Sequence, residues 1–393
     1  MCDLITFLTI AQKLGIDVLS IDGRSIGALA GKGGTSKVTQ RQMDVQMSFA
    51  FKYLSSKQRL EFQRGKLSEA EVFQTLINEI SVLAHPKVRW HANIVELQGV
   101  CWDIPADYEV WPILVFEKSQ HGDLFNFLHS PIGRDISFTQ RLELCIDVGT
   151  AIIDMHSLGM KYHFTTGSKL KSLGIIHGDV KPNNVLVFSD SQNATTFFAK
   201  VIDFGYSSQF SHEGDKILMP KSPPWHAPEY RGACTPAESR KMDIFSFGML
   251  CLWILFEKYL SQIIPLPAEV AWAREYFPKA RQNDFTSIFL ARLKSENKLS
   301  SLANQLLLHA PEFSVEKQNG LQQFFRASLQ NDPFKRASEM TECFGSFCTQ
   351  AVRHFNVYIY RKLTFYSFLG PGSITKRLQM RVILQRYQSE SCS

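Results

Sequence analysis

The stretch His177-Gly178-Asp179-Val180-Lys181-Pro182-Asn183-Asn184 constrains this chain of 393 residues more than any other. It crowds acid, amide and ammonium side chains around a glycine and a proline. Taken alone, that composition is ordinary turn chemistry. The next thirty residues narrow the reading. Val185 to Phe188 and Phe197 to Ile202 are apolar, β-prone runs on either side of a polar turn, Ser189 to Thr196, so they read as a hairpin. The hairpin leads into a second acidic residue, in Asp203-Phe204-Gly205. The first part of the chain reads strand-rich with one helix, a second helical run precedes this region, and from Asp243 onward the chain reads mostly helical. That order is α+β.

Gly31, Gly33 and Gly34 mark a tight loop between strands, and Met47 to Leu54 is strand-like. Ser68-Glu69-Ala70-Glu71 is a capping box that opens a helix. Val72, Leu76, Ile80 and Leu83 then recur at helical spacing. Glu79 falls inside that apolar stripe rather than opposite it. A carboxylate facing a core is costly unless a cation meets it. Ile113 to Phe116 reads as a short buried strand and Leu142 to Met155 as a helix. The first residues show no clean period and read as a leader.

The net charge of +6 hints at nucleic acid until it is located. Seven basic residues and one acid, Glu390, lie between Gln350 and Ser393, while residues 1–349 balance at 36 basic and 36 acidic. The body is therefore neutral, and no nucleic-acid partner is expected. The longest uncharged apolar run, Ile244 to Phe256, falls short of the roughly 20 residues that span a bilayer. The eight cysteines are dispersed without C-x-x-C spacing. They read as reduced thiols in a cytoplasmic protein, with the nucleus left open.

The ordered set His177-Gly178-Asp179-Val180-Lys181-Pro182-Asn183-Asn184, Asp203-Phe204-Gly205 and Ala227-Pro228-Glu229 resembles the eukaryotic protein kinases, serine/threonine type. The resemblance implies a bilobal fold: a small antiparallel N-lobe sheet with one helix, and a larger, mainly helical C-lobe. It covers residues 28–349, with the N-lobe at about 28–116, the hinge at 117–122, the C-lobe at 123–349 and an insert at 160–174. A leader, 1–27, and a basic tail, 350–393, flank it. The insert follows Ser157-Leu158-Gly159 and ends on its repeat, Ser172-Leu173-Gly174.

The resemblance implies ATP and Mg²⁺ as cofactors and a protein Ser/Thr hydroxyl as acceptor. Asp179 would take or orient the hydroxyl proton, and Lys181 would set a cation beside the moving phosphate. Asn184 and Asp203 are the metal ligands, as short oxygen donors suit Mg²⁺. Gly31-Lys32-Gly33-Gly34-Thr35-Ser36-Lys37-Val38 resembles the glycine-rich phosphate loop, with Ser36 in place of the third glycine. Ala50 and Lys52 match the third-strand motif, and Glu79 is the natural partner of Lys52. Phe116 is the gatekeeper, Glu117 to Ser119 the adenine-binding backbone, Asp123 a ribose contact, and Leu186 part of the nucleotide site. The spacing from Lys52 to Glu79 implies a small insertion between Ser55 and Leu67. Asp243 is expected to cap the catalytic-loop backbone, and Arg336 to pair with Glu229. Helices around Trp272 to Leu308 are expected to help dock partners.

Gly178 stands where most members carry arginine, which argues against control by a phosphate bound at that position. Ser222, before Ala227-Pro228-Glu229, is expected to bond Asp179 and Lys181. Two other classes compete with the enzyme reading. A pseudokinase would act as an ATP-binding or scaffold module. A small-molecule phosphotransferase is disfavoured by Ala227-Pro228-Glu229 and the Asp243 helix.

Overall fold

The computed structural model describes residues 3–22, 28–32, 36–42, 48–103, 110–157, 174–190, 193–210, 212, 214–263, 285–308 and 314–344. All lie in the first of two units, Met1–Phe347. The basic tail with its aromatic residues, residues 160–173 of the insert, Gly33, and the part of the docking region from Trp272 to 284 lie outside the described residues.

The N-lobe is a six-stranded sheet in the order β1-β5-β6-β4-β3-β2. Its strands are β1 (Val18–Asp22), β2 (Ala28–Lys32), β3 (Ser36–Gln42), β4 (Ser48–Leu54), β5 (Leu97–Asp103) and β6 (Trp111–Glu117). β5 to β2 pair antiparallel, as expected. β6 is apolar almost throughout because both of its faces are covered, and Trp111 to Phe116 are all buried. Phe51, Cys101, Ile113 and Val115 form a core cluster, with Leu19, Phe49 and Tyr53 packed against it.

The segment expected to be a leader contributes structure of its own. α1 (Leu4–Lys13) is capped by Asp3, whose side chain accepts from Thr6 N. Phe7 is fully buried, with its ring 6.0 Å from Phe73 and 6.4 Å from Trp102. β1 then joins the sheet parallel to β5, which a short local turn cannot achieve and periodicity does not reveal. Gly99 permits this close approach, since a Cβ there would meet Asp17 O at 2.5 Å. The expected insertion after Ser55 is a short helix, α2 (Ser56–Gln63), which packs Phe62 edge-on to Trp111 at 5.2 Å.

α3 (Glu69–Leu83) opens with the full reciprocal capping box of Ser68 and Glu71. Its buried face carries Val72, Leu76, Ile80 and Leu83, with Glu79 among them.

The C-lobe is helical around α7 (Pro236–Ile263). Residues Ile244 to Phe256 of this helix are buried on every side, as its all-round apolar sequence requires. Around it lie α4 (Leu124–His129), α5 (Pro131–Asp135), α6 (Phe138–Ser157), α8 (Phe285–Ser295), α9 (Leu299–Leu308), α10 (Val315–Ser328) and α11 (Met340–Phe344). Between α6 and α7 run β7 (Gly174–Ile176), the hairpin β8 (Val185–Ser189) and β9 (Phe197–Val201), and β10 (Ser208–Phe210), which pairs with β7. β11 (Ile217–Leu218) pairs with β12 (Ala233–Cys234). The fold is α+β and bilobal, with the catalytic-loop stretch between the two parts. No described helix is long and apolar enough to cross a membrane.

Candidate active site

β3, β4 and α3 bring the first charged cluster together. Val38 lies opposite Lys52 across β3 and β4, and Gly31 lies opposite Val38 across β2 and β3. Lys52 Nζ donates to both oxygens of Glu79, at 2.7 and 2.8 Å, and to Asp203 Oδ1 at 2.8 Å. The acid that sequence placed inside an apolar stripe therefore meets its cation. Burial works against the charge on Lys52, but Asp203 and Glu79 outweigh it and hold the ammonium above its ordinary range. Burial pushes the Glu79 carboxyl up, against the pull of Lys52. Burial also opposes the charge on Asp203, but Lys52 more than offsets it, so that carboxyl lies below its usual range. Asp203 adopts a left-handed backbone, φ 68°, which is uncommon outside glycine. Phe204 behind it is fully buried, edge-on to His177 at 5.4 Å.

The second cluster is built on the loop after β7. Asp243 of α7 is almost completely buried and accepts from His177 N and Gly178 N, both at 2.9 Å. His156, at the end of α6, adds a third contact to it at 3.0 Å. These bonds fix the main chain just before Asp179. They also seat His177, fully buried, at the far end of the segment that holds the insert. Asp179 is 5% exposed. Its Oδ2 accepts from Lys181 Nζ at 2.6 Å and from Asn184 Nδ2 at 2.9 Å. Its Oδ1 is buried and takes no hydrogen bond from any described residue. A buried acceptor left open is costly unless something else fills it.

Asn184 spends Nδ2 on Asp179 O and Oδ2, so its amide oxygen is the atom that could ligate a cation. With Asp203, this makes a pair of hard oxygen donors, a donor set that fits Mg²⁺. Lys181 also donates to Ser222 Oγ at 3.3 Å, while the expected Ser222–Asp179 bond is not among the contacts of Asp179.

The nucleotide-side residues fall in one region. Ala50 and Phe116 face each other across β4 and β6, both nearly buried. Leu186 of β8 bridges to Asp123. Three side chains here also have structural partners. Ser119 turns inward, donating to Val187 O and accepting from Gly122 N at 3.0 Å, so it shapes the hinge turn. Asp123 caps α4, accepting from Asn126 N at 2.9 Å. Glu117 accepts from Lys200 Nζ at 2.6 Å and from Glu96 N at 2.8 Å, and its own N–H is donated to Glu96 O. Among the hinge residues, its N–H is therefore already committed.

Arg336 pairs with both oxygens of Glu229, at 2.6 and 3.0 Å, as expected. His156 and Lys200 carry no signal in the sequence. Each is a lone residue whose partner is distant in the chain, so no local pattern marks it.

Residues 25–355 match the family described as "Protein kinase domain". The chain is 29% identical over 266 residues to "Probable serine/threonine-protein kinase pats1" of Dictyostelium discoideum, covering 66% of this chain and 7% of that protein. It is 29% identical over 245 residues to "Wall-associated receptor kinase-like 1" of Arabidopsis thaliana, covering 61% and 30%. It is 27% identical over 282 residues to "Wall-associated receptor kinase-like 3" of the same plant, covering 70% and 33%. The chain spans a third or less of the length of these relatives. The match over most of its length, together with the ordered clusters around Lys52 and Asp179, places this chain in the protein kinase domain family.

Proposed function

We propose that the chain is an active protein kinase that transfers the γ-phosphate of Mg·ATP to serine or threonine hydroxyls of a protein substrate in the cytoplasm. The observation that carries this reading is the asymmetry of Asp179. Oδ2 is held by Lys181 and Asn184, while Oδ1 is buried and open. An acceptor hydroxyl is the group that fills such a site.

Asp179 Oδ1 accepts the hydroxyl proton as the hydroxyl oxygen bonds to the γ-phosphorus. The bond from phosphorus to the bridging oxygen of ATP breaks, and ADP leaves with that oxygen. Lys181 sets positive charge at the same place without competing for the proton, since its ammonium is already donated to Oδ2. Lys52, kept charged by Glu79 and Asp203, is the cation that would meet the phosphates. Asp203 and Asn184 would hold Mg²⁺, which when bound would neutralise charge on the phosphate oxygens. Ala50, Val38, Phe116 and Leu186 line the adenine site, and the β2–β3 strands that carry Gly31 and Val38 cover the phosphates. Lys181-Pro182 supports serine/threonine rather than tyrosine transfer. The cytoplasmic assignment rests on the five described cysteines, which are free and buried.

Gly178 adopts φ +81°, a conformation in which side chains are strained. No arginine is there to receive a loop phosphate, so we assign no phosphate control at this position to the 203–229 loop.

Incubation with Mg·ATP and histone H1 or casein, followed by phosphoamino-acid analysis, tests the reading. Phosphoserine and phosphothreonine are the expected products. Phosphotyrosine alone overturns the specificity, and nucleotide binding without transfer favours a scaffold.

A further inference from the structure

Lysine is rarely buried, because removing an ammonium from water is costly unless it is well paired. Lys294, in the last turn of α8, is only 8% exposed. Its ammonium leaves its own helix and donates to two main-chain carbonyls of one segment, Pro224 O at 2.5 Å and His226 O at 2.7 Å. Glu229 is the carboxylate whose field reaches it, but Arg336 already occupies both oxygens of that group. Burial pulls the Lys294 ammonium down to about 8. An apolar residue would fill the same space at lower cost. What the lysine adds is direction, because it fixes where two carbonyls point.

Those carbonyls belong to a segment that reaches the catalytic loop. His226 N donates to Ser222 O at 3.0 Å, closing the turn. Trp225, in the middle of the turn, is buried edge-on to Trp253 at 6.0 Å. Ser222 Oγ accepts from Lys181, and Lys181 donates to Asp179. The main chain of α8 is held at the same residue, since Asn331 Nδ2 donates to Lys294 O at 2.6 Å. A continuous set of hydrogen bonds thus runs from α8, through the 222–226 turn, to the residue proposed to take the acceptor proton.

We propose that Lys294 is a positioning residue for the protein acceptor, acting through the 222–226 turn that its ammonium holds and that is bonded on to Lys181. This rests on the kinase reading above. It predicts an effect on the acceptor rather than on ATP, because Lys294 donates to the turn and to none of the described nucleotide-side residues.

The test compares the full chain with Lys294→Met and Lys294→Arg. Hydrogen exchange is followed at the amides of residues 222–230. In the methionine variant His226 is expected to exchange about tenfold faster, the equivalent of one net hydrogen bond at about 1.4 kcal/mol per decade, with residues 244–256 unchanged. With histone H1 or casein as acceptor, KM for the acceptor rises about tenfold, while KM for ATP and kcat stay within twofold. The arginine variant, which keeps the donors, restores part of the loss. Unchanged exchange overturns the proposal, and so does a loss confined to kcat or to ATP. If the wild-type chain transfers no phosphate, the kinase reading fails by itself. The exchange measurement then still decides whether Lys294 holds the turn.

Discussion

Replacing Asp243 with asparagine perturbs the link between fold and chemistry at a single atom. Asp243 uses one oxygen for His177 N and His156, and the other for Gly178 N. Asparagine keeps one oxygen. If it faces His177, the new NH₂ group opposes Gly178 N–H. One bond to a charged acceptor is lost, worth about 1.5–3 kcal/mol, and a buried donor is orphaned at a further cost of about 1–3 kcal/mol. The expected destabilisation is therefore roughly 3–5 kcal/mol, measured by urea unfolding against wild type. The catalytic effect is separate. Gly178 precedes Asp179 and holds φ +81°, so a freed Gly178 lets the acid move. A displacement on the order of 1 Å costs about 100-fold in rate. kcat measured at a temperature where circular dichroism shows the variant folded should fall by about that factor. A loss below about 1 kcal/mol, with kcat within threefold of wild type, would refute the reasoning that Asp243 positions the loop.

Glu229→Gln should destabilise the chain by about 3–5 kcal/mol, nearer the lower figure because Arg336 keeps its bonds to Gln330 O and Lys241 O. Denaturant unfolding checks this, and a change under about 1 kcal/mol would contradict it. Phe7→Ala should cost about 3–5 kcal/mol by emptying the contact with Phe73 and Trp102. A thermal scan that leaves the midpoint unmoved would return residues 4–22 to the status of a leader. Lys294 sets a pH signature. Between about 8 and its ordinary value of 10.5, the unfolded chain keeps a proton that the folded chain has released. Stability should therefore rise with pH across that window, by roughly 3 kcal/mol relative to Lys294→Met. Parallel curves for the two proteins would contradict this.

The parts of the site that are legible in sequence are those whose signal is local or whose conflict is visible. Glu79 stands in an apolar stripe and so demands a cation. Ser68 and Glu71 form a capping box, and the hairpin before Asp203 pairs around a polar turn. The parts that are not legible depend on distant partners. α1 mixes threonine and glutamine with its apolar residues, and β1 pairs parallel to a strand far along the chain. α2 lacks an apolar stripe and is held by one aromatic contact and an Arg59–Asp103 pair. Lys294 lies on an ordinary helix, and only the folded chain reveals the carbonyls it serves. Ser119 and Asp123 have structural roles as well. Their side chains serve the hinge turn and the α4 cap, local roles that the family resemblance draws attention away from.

The most direct test of the account is phosphate transfer by the wild-type chain compared with Asp179→Asn, with Mg·ATP binding measured on both. The open carboxylate oxygen of Asp179 is the proposed proton acceptor, so its replacement should lower transfer by about 100- to 10,000-fold while nucleotide binding stays within a few-fold. Transfer by Asp179→Asn within tenfold of wild type, or wild-type incorporation no higher than that of the variant, would contradict it.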